Sequence, residues 1–286
     1  MGPLLSVVVA AAPYFFTADH SLHRAVVEPV AAAQSGSQRA RELARTRVEL
    51  PGLVMGHTQR GAEALAVVCP ATLVRTDAVH GCDIFHIDAR GTARPLGVRG
   101  LSAELLPGNR DALVWTEDLK LLRVSLATGA SEVLASGVLE PRLFADGTGF
   151  AFARAPGLTR LTPGFVACPF TQVFGAKPTA VRGPCHAQAP FISPTGESLY
   201  VSTATDHAAL VHGGRVLSAK VPGRELVWLD GDRALYSAHY DTQELWLFDA
   251  RTQTARSIGV GREPTLIEGK VFAFDGERVI QVEVER

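Results

Sequence analysis

QAPFISPTGESLYVSTATDHAALVHGGRVLSAKVPG (residues 188–223) and RELVWLDGDRALYSAHYDTQELWLFDARTQTARSIGVG (residues 224–261) are two successive copies of one pattern. In each, an apolar run meets a turn containing Gly196 or Gly231, and a second apolar run follows. A polar loop and two shorter runs then close the unit. Apolar runs of four to eight residues bounded by Gly, Pro and Asp are the signature of short antiparallel strands. The stretch from Gln188 to Glu263 therefore reads as two four-strand units.

The same turn glycine followed by an apolar run recurs outside this pair. Gly61 precedes EALAVV, Gly108 precedes DALVW, Gly147 precedes GFAFA and Gly269 precedes KVFAF, with spacings of 47, 39, 49, 35 and 38 residues along the series. A repeat of roughly 40 residues with four short strands per unit defines a β-propeller blade. Six glycines predict six four-stranded blades over residues 47–286, with seven blades as the alternative. The last unit, from Glu263 to Arg286, supplies only three strands. A propeller that pairs its free edges needs a fourth strand from the other terminus. The expected donor lies within Tyr14 to Val30, in an amino-terminal segment of residues 13–46. Residues 35–47, SGSQRARELARTR, read as a polar linker or short surface helix.

Particular residues carry a family resemblance. Phe191-Ile192-Ser193-Pro194-Thr195-Gly196-Glu197-Ser198-Leu199-Tyr200-Val201 resembles the S-P-D-G-x-x-[IL]-x-[FYV] signature of TolB-like, or PD40, propeller repeats, with Thr195 in place of the usual Asp. Residues 143–152 look like a second, degenerate copy, and residues 244–253 and 121–129 look like third strands with their turns. The resemblance spans residue 101 to the end. It implies a bacterial, often periplasmic scaffold that binds protein partners through one propeller face. Some relatives carry a separate hydrolase domain, but this chain has no G-x-S-x-G.

A formal net charge of −1 and pI near 6.8 give no global field to recruit nucleic acid or an anionic membrane. The apolar run Leu4 to Ala12 ends in Ala10-Ala11-Ala12, which fits a cleaved leader over residues 1–12 although no Lys or Arg precedes it. It is far shorter than the roughly 20 residues of a membrane span. The competing reading is a buried strand of the mature domain, which would suit a cytoplasmic protein. Cys69 with Cys82 and Cys168 with Cys185 pair locally within repeat units. Disulfides there point to an oxidising, periplasmic or secreted location; four reduced buried thiols are the alternative.

Blade geometry says where a ligand would be met. Loops joining second to third strands, and those linking blades, fall on one face around the channel. The expected binding residues there are Glu117, Asp118, Arg154, Asp206, His207, His239, Tyr240 and Asp241. No cofactor and no metal are expected: His80, Cys82 and His86 lack zinc spacing, and a single asparagine, Asn109, argues against a calcium-dependent hydrolase. Trp115, Trp228 and Trp246 fall on strands, where packing is their default role. The function read from these features is a non-catalytic binding or scaffolding propeller with an envelope protein as partner. A sugar or lactone hydrolase or lyase, and a structural part of a surface assembly, are the alternatives.

Overall fold

A computed structural model describes residues 11–28, 37–39, 41–73, 80–144, 147–155, 157–158, 166–181, 185, 187–192, 198–202, 209–212, 215–218, 222–230, 232–238, 243–249, 251–252, 254–267 and 269–284. Of these, 37–39, 187–192, 198–202, 209–212, 215–218 and 222–225 are described as backbone. All regular elements among the described residues are strands.

The amino-terminal strands are β1 (Ala12–Ala18), β2 (Ser21–Glu28), β3 (Ser37–Arg39) and β4 (Arg41–Arg47). The first four-stranded sheet then follows in chain order as β5 (Leu53–Arg60), β6 (Glu63–Cys69), β7 (Cys82–Ile87) and β8 (Ala93–Gly100). The second holds β9 (Ser102–Leu105), β10 (Asp111–Trp115), β11 (Lys120–Ser125) and β12 (Ser131–Ser136). The third holds β13 (Leu139–Leu143), β14 (Gly149–Arg154), β15 (Cys168–Val173) and β16 (Thr179–Ala180). The fourth holds β17 (Ala187–Ile192), β18 (Ser198–Ser202), β19 (Ala209–His212) and β20 (Arg215–Ser218). The fifth holds β21 (Pro222–Trp228), β22 (Arg233–Ala238), β23 (Glu244–Asp249) and β24 (Thr254–Val260). The sixth holds β25 (Arg262–Ile267), β26 (Lys270–Phe274) and β27 (Val279–Val282), with β3 as its fourth strand.

Each of the six glycine-led runs is the second strand of one of these sheets, so the six expected blades are present. Second strands are sandwiched between neighbouring blades on both faces, which is why they read as continuous apolar runs. In β6, β10 and β26 the first residue is half-buried and every other residue is buried. Outer strands such as β12 and β24 are mostly exposed. Apolar clusters bridge successive sheets: Leu65, Val67 and Ile84 of the first pack with Ala103, Val114 and Val124 of the second. Trp115 is buried in the next cluster, and its Nε1 donates to the Val138 carbonyl at 2.8 Å, so it has the packing role expected of it.

The ring is closed by an amino-terminal strand, as expected, but by a different one. β3 pairs with β27 through Arg39 and Ile280, Gln38 and Gln281, and Ser37 and Val282. Tyr14 to Val30 is not the donor; its described part forms the β1–β2 hairpin. An outer strand needs few apolar residues, which suits Ser-Gln-Arg. Tyr14, Phe15 and Phe16 are instead all buried, as an interior strand requires. Residues 35–47 form neither linker nor helix where they are described, because β4 pairs along β2 from His23–Arg47 to Glu28–Arg41. Satisfying the backbone edge of β2 outweighs the modest helix preference of Arg, Glu, Leu and Ala.

β1, β2 and β4 thus form a three-stranded sheet, with β1 in contact with both β25 and β5. Tyr14, Phe16, Ala25 and Val27 pack with Phe272, Phe274 and Val279 of the sixth blade, while Phe15 and Leu22 pack with Val54 and Ala66 of the first. Phe16 stacks on Phe274 at 4.2 Å, with the Arg45 guanidinium 5.0 Å from the Phe16 ring.

Candidate functional site

Successive strands in every blade are antiparallel, so the loops joining second to third strands lie at the same end as the links between blades. That end carries both disulfides. Cys69 ends β6 and Cys82 begins β7, so their bond closes the base of one such loop. Cys168 begins β15, and Cys185 lies in the link leading to β17. Both pairings match those read from the sequence.

The loop after β10 is organised on the same face by its own polar groups. Thr116 Oγ1 donates to Asp118 Oδ1 at 2.5 Å and accepts from the Lys120 backbone N–H at 3.1 Å. Lys120 Nζ lies 2.5 Å from Asp118 Oδ2. Leu119 takes φ of +58° to complete the turn. The Lys120 hydrogen bond, and then that of Thr116, hold the Asp118 carboxyl below the ordinary carboxylate range. Glu117 reaches across to the preceding blade, where its Oε2 accepts from the Gly81 N–H at 2.9 Å, and Arg99 donates to the Gly81 carbonyl. Gly81 adjoins Cys82, so the carboxylate and the disulfide fix one loop base together.

Arg154 ends β14, is exposed, and passes the blade link at Gly137, where an added Cβ would lie 3.7 Å from its Nε. The structure therefore brings Glu117 and Asp118 into one turn and sets Arg154 at the same end of the next blade. Asp206, His207, His239, Tyr240 and Asp241 lie outside the described residues. The sequence places Thr116-Glu117-Asp118 in this loop but does not single out Lys120 or Arg99. The T-x-D-x-K spacing of the turn is the signal that could have found Lys120.

The weak zinc constellation dissolves into other roles. Cys82 is in a disulfide, and His86 Nε2 lies 2.6 Å from Glu63 Oε2. Among the described residues no group of three or more His, Cys, Asp or Glu could hold a metal ion. Asn109 takes φ of +50° in the turn between β9 and β10 and donates to the Arg60 carbonyl, a turn role. At the opposite end of the fifth blade, Asp230, Arg233, Asp249, Arg251 and Arg256 line an open groove of about 390 Å³. Arg233 pairs there with Asp230, and Arg251 with the adjacent Asp232.

Polar side chains of the innermost strands tie the first blade to the second and the second to the third. Thr58 of β5 donates to the Ala103 carbonyl of β9 at 2.7 Å, and Glu104 accepts from the Leu143 N–H of β13 at 3.1 Å. Around β1 such ties multiply. Gln59 Oε1 accepts from the Phe15 N–H at 2.9 Å and its Nε2 donates to the Pro13 carbonyl at 2.7 Å. His57 lies between Thr17 Oγ1, 3.0 Å from Nδ1, and the Phe15 carbonyl, 3.1 Å from Nε2. From the other side, Glu263 Oε2 accepts from the Thr17 N–H at 2.8 Å, and Arg262 donates to the Thr17 carbonyl. Glu263 is buried with φ of +54° and precedes Pro264; Glu140, before Pro141, has φ of +45°. Both lie where the first strand shifts register against the second, so these Glu-Pro pairs mark β-bulges.

Together the blades, the strand order and the closing strand define a β-propeller. No family model and no curated protein sequence matches the chain. Among solved structures, it is similar to the tricorn protease (TM-score 0.55, 12% identity), covering 95% of this chain and 33% of that one. This chain thus spans about a third of that protein. YCF48 bound to D1 peptide is similar at TM-score 0.53 and 12% identity over 98% of this chain and 94% of that one. The β-propeller domain of Cps50 (Swd1) from Myceliophteria thermophila gives TM-score 0.52 and 10% identity over 96% of each. These likenesses concern the fold.

Proposed function

We propose that the chain is a non-catalytic protein-binding or scaffolding propeller of the TolB-like kind, acting in the bacterial periplasm or outside the cell. It would bind an envelope protein through the disulfide-bearing loop face. The observation that carries this reading is the clustering of fixed structure at one end of the ring. Both disulfides, the Thr116–Lys120 turn and the Glu117–Gly81 cross-blade bond all hold loops at that end. Rigid loops bind at lower ordering cost than mobile ones. Two disulfides suit an oxidising compartment. That YCF48 was solved with D1 peptide supports peptide recognition as a use for such a ring.

Charge reversal tests the reading. Affinity capture from envelope fractions should recover a stoichiometric protein with the unaltered chain. Glu117→Lys with Asp118→Lys should lose it, while Asp230→Lys with Asp249→Lys, at the opposite end, should retain it. Loss through the opposite-end pair alone, or turnover of a sugar or lactone substrate without any captured partner, would overturn the proposal.

A further inference from the structure

The open groove on the fifth blade, at the end opposite the disulfides, is built on one face of its outer strands. Arg233 of β22 pairs with Asp249 of β23, Asp249 with Thr254 of β24, and Leu247 with Arg256, so these five residues share a face. Leu247 is buried against Val271 and Ile280 of the sixth blade and gives the groove an apolar wall. Asp230 and Arg251 complete the lining, and the volume of about 390 Å³ falls among those of small-molecule sites.

Two of the charges stand apart from the rest. Arg233 Nε and Nη2 both reach Asp230 Oδ2, at 2.8 and 2.7 Å, and Arg251 Nε donates to Asp232 Oδ2. Those pairs neutralise the rim. Arg256, by contrast, has no hydrogen-bond or ion-pair partner among the described residues. Asp249 turns Oδ1 to the backbone N–H groups of Arg251 and Thr252, at 2.8 and 3.2 Å, while its Oδ2 accepts from no described group. The two are diagonal neighbours across β23 and β24, a relation that sets residues roughly 7–8 Å apart. They face one groove without an ion pair between them.

We propose that the groove binds a short zwitterionic peptide, with the ligand's carboxylate on Arg256 and its ammonium on Asp249. A guanidinium fork matches a carboxylate, and an ammonium brings three donors to the open Asp249 oxygen. Length agrees, because two residues span at most about 7 Å. Charge agrees as well. Asp230, Asp232 and Asp249 balance Arg233, Arg251 and Arg256, so a purely anionic or cationic ligand gains nothing from the local field. A ligand carrying one charge of each sign does gain. The site lies away from the disulfide-bearing loop face and is separate from the protein-binding surface proposed there.

Amide chemical shifts of the full chain, titrated with glycylglycine, test the site. Saturable shifts at Arg251, Thr252, Thr254 and Arg256 are expected. N-acetylglycylglycine lacks the ammonium and glycylglycinamide lacks the carboxylate, so each should bind more weakly by about tenfold or more, as the loss of one charge-assisted hydrogen bond requires. In Arg256→Gln the advantage of glycylglycine over glycylglycinamide should vanish. In Asp249→Asn, which keeps an oxygen for the turn N–H groups, its advantage over N-acetylglycylglycine should vanish instead. The absence of saturable shifts at these residues, equal affinity for the three compounds, or advantages that survive both substitutions would overturn the proposal.

Discussion

The first four-stranded blade and the three-stranded amino-terminal sheet lie side by side in the ring, yet they satisfy their inner edges differently. In the blade, β6 pairs with β5 from Leu53–Cys69 to Arg60–Glu63, and any residue that holds an extended backbone can supply those bonds. In the amino-terminal sheet, the corresponding edge of β1 depends on four side chains, Gln59, His57, Arg262 and Glu263, each with a particular donor or acceptor. A ladder tolerates substitution, whereas a set of caps does not. The contrast also separates core packing, which both regions share, from edge chemistry, which they do not.

Shared packing predicts the largest effect. Phe16→Ala should cost about 3–5 kcal/mol, the same as Phe152→Ala in an ordinary blade, because both rings are almost fully buried. Urea unfolding of the two variants compares them. A loss below about 1 kcal/mol for Phe16→Ala alone would mean that the amino-terminal sheet lies outside the cooperative unit. Next in size is the loop staple. Replacing Cys69 and Cys82 together by Ser removes a link across a sequence separation of 13, worth about 3 kcal/mol in the chain-entropy model. The urea midpoint should fall accordingly, and an unshifted midpoint would leave the bond without a stabilising role.

Edge chemistry should separate the two regions at a smaller scale. Gln59→Leu strips partners from the Phe15 N–H and the Pro13 carbonyl, and an orphaned polar group costs about 1–3 kcal/mol. Thr58→Val removes one cross-blade bond from β5 to Ala103, an effect of about 1 kcal/mol. If both substitutions cost the same in urea unfolding, the caps on β1 are no more than ordinary ties.

The six four-stranded blades were legible because their turns rely on glycine. Gly61, Gly108, Gly147 and Gly269 all have positive φ, a conformation that glycine adopts without the Cβ penalty, and each stands before a buried second strand. The amino-terminal sheet escaped notice because its turn, between Ala18 and Ser21, is made by Asp19 and His20, with φ of +47° and +55°. Asp and His tolerate that region, but neither marks it as glycine does. β3 and β4 were hidden for another reason. Exposed outer strands take whatever polar residues solvent allows, so Ser37–Arg47 carries no period-2 alternation to read. At the loop face, the local cysteine pairs and the Glu117-Asp118 turn followed from spacing. The Glu117–Gly81 bond joins residues 36 apart in sequence and depends on the packing of two blades, which no local pattern encodes.

Acidification should divide the same two regions in its order of events. His23 of β2 stacks on Phe16 at 5.3 Å; burial, and then the charges of Arg45 and Arg47, lower its pKa. The folded protein therefore favours neutral His23, while the unfolded chain takes up a proton near pH 6.5. Stability from this site is complete above about pH 6.5 and falls as the pH drops towards the folded value. Asp118 also has a lowered folded pKa, so its contribution is complete above about pH 3.9 and is lost only as the pH falls through the folded value. Its side chain is 56% exposed, which limits the effect to a few tenths of a kcal/mol. Urea midpoints measured from pH 8 to pH 3 should show an early decline that His23→Gln removes and a smaller late one that Asp118→Asn removes. If His23→Gln left the early decline intact, other groups would be taking up that proton, and the amino-terminal sheet would not be the first region to weaken.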